Sequence, residues 1–392
     1  MNSKEVAELV GVTPATLKRW VETGVIPESL NGDDWPASAV AHARIVSRLR
    51  NRGHSLQEVR QAAQEGRLAF GFIEDLFPDQ GGKLEVSDVA EQTGLEAGLI
   101  ERIWSSVGFP IRELDDLTDD DVQALRYIAS VLDAGFPLVA FLQLVRVYGQ
   151  ALSQIADAEV RLFHLYVHEP LMRDGVPGLQ MAEEMENLAR DLLPLASPIM
   201  DYIHQRFLQH FVEQDVVGHM EVELSEHEDL GRVRVAVAFA DLAGYTRYTE
   251  EAGEEEALST VERFIDAVQN TLPEDARIIK TIGDEVMIVA QDVRALTDWA
   301  VGFQRLYRDR PTPRIGIQQG VTLYRDGDYF GRDVNLTSRV VARARGGEVL
   351  VSDAVVDAVR DSPHLSFEEI GQVKLKGFAE PRRLCRAVRR EE

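Results

Sequence analysis

The sequence predicts an α+β protein in two parts, an all-α region over the first 220 residues and a βαββαβ core from Arg232 onward. Three observations carry this. Residues 150–220 repeat apolar positions at helical spacing, with Ile199, Ile203, Phe207 and Phe211 on one stripe. From Arg232 onward, β-branched apolar runs alternate with helical patterns. Between the two lies a polar stretch, Glu223 to Gly231 (ELSEHEDLG), with the composition of a linker.

Length and charge bound the possibilities. The chain has 392 residues, enough for two or three domains with ample core, and its 45% hydrophobic content is that of an ordinary globular protein. A net charge of −24 argues against binding DNA through bulk electrostatics, although one basic patch could still do so. The lone Cys385 excludes an internal disulfide framework and fits a reducing compartment. Met1-Asn2-Ser3-Lys4 opens no basic-then-apolar leader, and the most apolar stretch, Ala134 to Val145, is too short to span a bilayer. A soluble, cytoplasmic protein is expected. The domain spans that follow are 1–75, 84–220, a linker at 221–230, and 231–392.

The helical region contains a repeat. Val6 to Leu17 aligns with Val89 to Ile100, Gly11 falling opposite Gly94, and Pro27 then falls opposite Pro110. Each copy reads as helix, glycine turn, helix. Lys18 and Arg19 lie on the second helix of the first copy, with Arg44, Arg48, Arg50 and Arg52 beyond. The second copy carries Asp115, Asp116, Asp119, Asp120 and Asp121 and is too acidic to touch phosphate.

In the C-terminal part the pattern predicts strand 232–242, helix 247–272, strands 276–282 and 285–291, helix 293–309 and strand 313–325. A helix over 333–344 and strands at 348–352, 365–376 and 382–388 follow. A βαββαβ core with an added tail is the split βαβ, ferredoxin-like plan. Two of its strands deliver a carboxylate near the sheet's end: Asp241 closes Arg232 to Leu242, and Asp284 sits in the Gly283-Asp284 turn. Paired carboxylates there suit Mg²⁺ or Mn²⁺ bridging a nucleotide's phosphates, because hard cations take oxygen ligands and keep open positions. The backbone amides of the loop Leu242 to Thr246, at the start of a helix, can face those phosphates. Taken singly, each residue has a plainer explanation: Asp241 as a helix cap, Asp284 as a turn residue, Asn335 or Arg339 as a partner in a structural hydrogen bond. Asp326, two positions before Asp328, is an equal candidate on position alone. Glu285 starts a strand directly after Asp284 and is expected on the opposite face.

Phe239-Ala240-Asp241-Leu242-Ala243-Gly244-Tyr245-Thr246, Lys280-Thr281-Ile282-Gly283-Asp284 and Gly327-Asp328 to Arg339 resemble the catalytic domains of class III nucleotide cyclases, over about residues 231–390. The resemblance implies that Asp241 and Asp284 bind two metal ions (Mg²⁺ or Mn²⁺) and that Lys280 and Asp328 read the adenine of ATP. It further implies that Asn335 and Arg339 stabilise the transition state, and that Lys376 contacts phosphate, a choice over Lys374 that only the family match makes. The family spacing to Asn335 likewise selects Asp328. The implied assembly is a head-to-tail homodimer, in which one chain supplies Asp241 and Asp284 and the other supplies Lys280, Asp328, Asn335 and Arg339. The implied activity is that of an adenylyl cyclase. Lys280 and Asp328 argue against a guanylyl cyclase, and no Walker-type lysine loop is present.

Two further resemblances concern the helical region. Ser3 to Trp20 followed by Gly24-Val25-Ile26-Pro27 looks like the DNA-binding helix-turn-helix module of MerR-type regulators, which leaves a DNA-binding regulator with a nucleotide-sensing domain as the rival function. Residues 85–220 look like the regulatory half of actinobacterial adenylyl cyclases that respond to pH. Six of the nine histidines, His164, His168, His204, His210, His219 and His227, fall in the stretch before the catalytic domain, where protonation could supply the response.

Overall fold

The computed structural model describes residues 1–26, 35, 37–68, 84–176, 178–221 and 231–390. It divides into two units, Met1–Leu208 and Gln209–Glu392. Of the expected linker at 221–230, Glu221 belongs to the preceding helix, and residues 222–230, with His227, lie outside the described residues, as does Pro27.

The first unit is helical throughout its described length, and its helix ends follow from capping chemistry. α1 (Ser3–Val10) starts at Asn2, whose side chain accepts from the Glu5 amide while the Glu5 carboxylate accepts from the Asn2 amide. It stops at Gly11, which takes a left-handed conformation with φ 71°. α2 (Pro14–Glu22) is capped by Thr13 and opens on Pro14. α3 (Ala37–Asn51) and α4 (Leu56–Gln64) complete a small core around Val6, Leu17, Trp20, Ile26 and Val46. The second copy repeats this beginning. α5 (Val86–Thr93) ends at left-handed Gly94, and α6 (Ala97–Val107) ends at left-handed Gly108. A 3₁₀ turn (Ile111–Asp115), α7 (Asp119–Asp133) and α8 (Leu138–Phe163) enclose Ile100, Ile103, Leu117, Leu125 and Phe141.

A π-helical turn (His164–His168), α9 (Glu169–Arg173) and α10 (Gly178–Glu221) follow. A third small cluster, Met181, Met185 and Ala189, is buried at the start of α10. The stripe Ile199, Ile203, Phe207 and Phe211 is exposed, so it is not core within this chain. No helix among the described residues is long and apolar enough to cross a membrane.

The second unit is built on one sheet. Its elements are β1 (Arg232–Leu242), α11 (Tyr245–Ala252), α12 (Glu254–Thr271), β2 (Arg277–Ile282), β3 (Glu285–Ala290), α13 (Val293–Leu306), β4 (Pro313–Arg325), β5 (Asp328–Phe330), α14 (Arg332–Val341), β6 (Val349–Ser352), α15 (Asp353–Ala358), β7 (Leu365–Val373) and β8 (Arg382–Arg389). The strand order is β2-β3-β1-β4-β6-β8-β7, with β5 paired to β4. β1 runs antiparallel to both β3 and β4, which is the split βαβ plan, and β4 pairs with β6 in parallel. Alternation along β1 serves both faces. Ala236, Ala238, Ala240 and Leu242 meet Phe264 of α12 and Leu296, Ala300 and Phe303 of α13. Val235, Val237 and Phe239 meet Met287, Tyr329 and Val341 on the other side.

Four elements depart from the sequence expectation. The helix expected over 247–272 is two helices, because Gly253 takes φ 89° and restarts the chain as the cap of α12. β5 is an added strand, closed onto β4 by a two-residue turn in which Asp326 (φ 53°) and Gly327 (φ 77°) are both left-handed. α15 is an added helix, in a stretch to which the sequence pattern assigned no element. β7 ends at Val373, so Lys374 and Lys376 lie beyond the sheet and not on one strand face.

Candidate active site

β1 carries Asp241 to the sheet's end, and the turn between β2 and β3 carries Asp284 to the same place. Gly283 makes that turn with φ 64°. The two carboxylates interact: burial first, then a hydrogen bond to Asp241 and its charge, push the Asp284 carboxyl up to about 7. Asp241 is itself 8% exposed and is held from β4 by Arg314, its direct cross-strand partner. The Arg314 Nε donates to Asp241 Oδ2 at 2.6 Å. Glu285 is the register partner of Asp241 on β3, and burial and the Asp241 charge raise its carboxyl as well. Glu285 therefore stands close to the pair, nearer than strand alternation predicts, because Asp284 belongs to the turn and not to the pleat.

The arrangement fits a divalent cation. It offers two hard oxygen donors, one of them pushed up toward neutral pH by burial and then by its neighbour, a stress that a bound cation relieves. Among the described residues, no third His, Cys, Asp or Glu extends the pair into a larger metal cluster. Further ligand positions would thus be open to substrate oxygens or water.

Lys280 and Asp328 come together from 48 residues apart. The Lys280 ammonium forms a hydrogen-bonded ion pair with Asp328 Oδ2. A bulge sits between Ile278 and Lys280 on β2, with two residues of separation on β2 spanning one on β3, and it re-aims the Lys280 side chain. Asp328 Oδ1 accepts from the Tyr329 amide at 2.8 Å, and the Phe330 ring lies 6.0 Å from the ammonium. Asp326, by contrast, belongs to the turn and pairs with Arg325. The choice between the two aspartates, left to spacing in the sequence, has this structural counterpart.

Asn335 and Arg339 are both exposed and one turn apart on α14. Neither side chain takes part in an ion pair or hydrogen bond among the described residues. Two glycines seat this helix against β4. A Cβ on Gly316 would lie 2.4 Å from the Val341 amide nitrogen, and one on Gly320 would lie 2.1 Å from the Asp333 carboxylate. Asp333 also accepts from Gln318 Nε2 at 3.0 Å, which pins the first turn of α14. Lys374 and Lys376 are both exposed, on either side of buried Leu375, and no hydrogen bond or ion pair among the described residues joins them to the other site residues.

Sequence reasoning missed Arg314, Arg277, Tyr329 and the Gln318–Asp333 contact. Only the Gly316/Gly320 spacing on a strand could have signalled a close approach, since the other contacts depend on register across the sheet.

Several known proteins are similar to this chain. The adenylate cyclase regulatory domain matches residues 26–212. The adenylate and guanylate cyclase catalytic domain matches residues 312–385, a span that holds Asp328, Asn335, Arg339 and Lys376. A pH-sensitive adenylate cyclase of Mycobacterium tuberculosis is 29% identical over 371 residues, covering 92% of this chain and 91% of its own length. An adenylate cyclase of Streptomyces coelicolor is 31% identical over 283 residues, covering 70% of this chain and 72% of its own. Among solved structures, the adenylyl cyclase CyaB from P. aeruginosa covers 41% of this chain and 96% of its own, at 21% identity and a TM-score of 0.38.

Proposed function

The chain belongs to the class III adenylate cyclases, and from that premise we propose that it forms 3′,5′-cyclic AMP at two equivalent sites, each assembled from two copies of the chain. The ribose 3′-hydroxyl attacks the α-phosphorus, the bond to the bridging oxygen breaks, and pyrophosphate leaves. One copy contributes Asp241 and Asp284. The other contributes Lys280 and Asp328 to the adenine, Asn335 and Arg339 to the transition state, and Lys376 to a phosphate. Asp241 and Asp284 would hold divalent ions, Mg²⁺ or Mn²⁺, and the bound charge would acidify the attacking hydroxyl and neutralise the leaving pyrophosphate. Arg314 keeps the Asp241 carboxylate aimed at the sheet's end. Lys280 donates toward adenine N1, and Asp328 accepts from the 6-amino group. In the free chain these two groups satisfy each other, so neither is left unpaired.

One observation carries the shared-site reading: the carboxylate pair lies at one end of the sheet, while Asn335 and Arg339 stand exposed on α14 without a partner among the described residues. The test is complementation. Asp241→Ala and Arg339→Ala chains, each inactive alone, should regain cyclic AMP production from ATP and Mn²⁺ once subunits exchange, because one mixed site carries both lesions and the other carries none. Demonstrated exchange with no activity removes the shared site.

The helical region supplies control, and pH is the signal it is best built to take. The Mycobacterium tuberculosis relative is pH-sensitive by name. In this chain His164 and His168 meet Nδ1 to Nδ1 at 3.0 Å in the π-helical turn, and buried His168 places Nε2 3.0 Å from the Gly66 carbonyl after α4. A carbonyl only accepts, so His168 carries its proton on Nε2 and accepts at Nδ1 from His164. A first added proton fits on His164 Nε2, which faces Glu169 at 3.9 Å, with Arg173 on the far side of that carboxylate. A second must enter Nδ1 of His168. That step replaces the hydrogen bond with two facing N–H groups and two adjacent cations, beside the Glu65–Arg67 pair that flanks Gly66. Acid would thus open the contact between the α4 end and the turn. His204 and His210 are exposed on α10, where protonation breaks no such packed contact. Full-chain activity against pH should flatten in His168→Gln and hold its slope in His204→Ala with His210→Ala; equal profiles for all three proteins would remove this switch.

Two helix–glycine–helix pairs open the helical region, and Lys18 and Arg19 are exposed on α2. At a net charge of −24 we read them as packing elements of the regulatory region and not as DNA readers.

A further inference from the structure

The base-reading pair rests on a second, unassigned pair. Arg277 begins β2, three residues before Lys280, and its Nη2 donates to the Tyr329 hydroxyl at 2.8 Å. Tyr329 is 6% exposed and lies between Asp328 and Phe330, the residues that flank Lys280 on β5. Its amide holds Asp328 Oδ1, and its ring packs against Val235, Val237 and Met287 in the second core. The Arg277 guanidinium also lies over the Phe211 ring, 5.2 Å from its centroid, and 6.0 Å from the Tyr329 ring centroid. Phe211 belongs to the last part of α10, and one turn on, the Gln214 side chain donates to the Glu274 carbonyl in the loop before β2. A guanidinium suits this place because it is planar. It can donate to the phenol in its own plane while presenting a face to Phe211, which an ammonium cannot reproduce.

We infer that Arg277 and Tyr329 are positioning residues for base choice: they tie β2 to β5, hold Lys280 and Asp328 at the separation that adenine requires, and expose that separation to the end of α10 through Phe211. The inference rests on the assignment of Lys280 and Asp328 as the adenine readers. Neither new residue touches substrate in this account. The bulge at Ile279 makes the tie necessary, because the ladder between β2 and β3 is interrupted between Arg277 and Lys280 and cannot alone fix the lysine. Phe211 offers α10 a route to the nucleotide site, by pressing on Arg277 without contacting any catalytic group.

The test uses the full-length protein and measures kcat and KM with ATP and with GTP for Tyr329→Phe, Arg277→Lys, Phe211→Leu and Phe211→Tyr, with Lys280→Ala in parallel. Tyr329→Phe keeps the ring and removes only the acceptor. A lost buried hydrogen bond corresponds to a factor of about 3–10, and we expect that factor as a rise in KM for ATP and a fall in the ATP/GTP ratio of kcat/KM, with kcat for ATP changed less. Arg277→Lys should do the same. Phe211→Leu should shift the ratio about twofold, the weaker effect of a lost ring–cation contact, and Phe211→Tyr should restore it. A residue that merely stabilises the fold would lower the melting temperature without moving base preference. If Tyr329→Phe and Arg277→Lys leave the ATP/GTP ratio unchanged while Lys280→Ala alters it, the positioning role is overturned and the readers stand. If Lys280→Ala leaves the ratio unchanged, the reader assignment falls and takes this inference with it.

Discussion

The two units differ in the size of their largest core and in how much apolar surface their helices leave exposed. In the sheet unit, one large core runs from Ala236 through Phe264 to Phe303, and two smaller clusters lie beside it, one around Phe239 and Met287 and one around Leu336, Leu350 and Leu384. In the helical unit, the described residues form three separate clusters, none as large as the main core of the sheet unit. The long helices leave apolar stripes exposed: Leu144, Tyr148, Leu152 and Ile155 on α8, and Leu195, Ile199, Ile203 and Phe207 on α10. A close-packed core transmits strain and resists displacement, whereas small clusters joined by single contacts can shift at modest cost. Side chains that must meet a phosphate within fractions of an ångström belong on the first kind of support. Elements that report a signal belong on the second.

The sharpest way to break this contrast is to cut each region in its most exposed or most buried place. Phe264→Ala should destabilise the sheet unit by about 3–5 kcal/mol, the usual result of emptying a buried aromatic site, measured by denaturant unfolding. Ile199→Ala should change stability by no more than about 0.5 kcal/mol in the dilute monomer, as for other exposed positions; a loss matching that of Phe264→Ala would show that the stripe is covered. Next in size, Asp241→Ala or Asp284→Ala should lower turnover by about 10²–10³-fold or more, the scale of a removed electrostatic stabiliser, while unfolding stays cooperative. Near wild-type cyclic AMP production in either variant would end the metal assignment. Lys280→Glu combined with Asp328→Cys should then weaken ATP use and raise relative GTP use, each mismatched buried polar group costing about 1–3 kcal/mol. An unchanged ATP/GTP ratio would free both residues from base reading.

A further effect concerns Asp284 in metal-free protein. Its carboxyl titrates at about 7 in the folded chain against an ordinary value of 3.8. Between those values the folded state binds more protons than the unfolded state, so stability falls as pH rises and the full penalty is present above about 7. Asp284→Asn should therefore raise the melting temperature of metal-free protein at pH 8 and give no gain below pH 4. A gain of equal size at both ends would mean that burial and Asp241 do not perturb this carboxyl.

Much of the sheet unit was legible locally. Turn chemistry placed Asp284, and the apolar run ending at Leu242 placed Asp241. β1 and β4 have the bounds that alternation predicts, Arg232–Leu242 and Pro313–Arg325. Errors arose where one glycine overrode a periodic pattern, as at Gly253, or where a strand of three residues, β5, was too short to show a period. The histidines were legible as a composition but not as a device: of the six, the structure pairs His164 with His168, and it leaves His204 and His210 exposed.

By itself the sequence determined the order of the main strands and helices, though not β5, α15 or the break at Gly253, and it determined the two carboxylate-bearing strand ends and the family motifs. These depend on alternation, capping and turn residues, whose influence reaches only a few positions along the chain. The tertiary structure alone decided that Arg314 grips Asp241, that Glu285 sits beside them, that Lys280 finds Asp328 and that Arg277 finds Tyr329. Each of these depends on cross-strand register or on a bulge. Register is set by how both faces of the whole sheet pack, and a slip of one residue would have sent every one of these side chains to the other face.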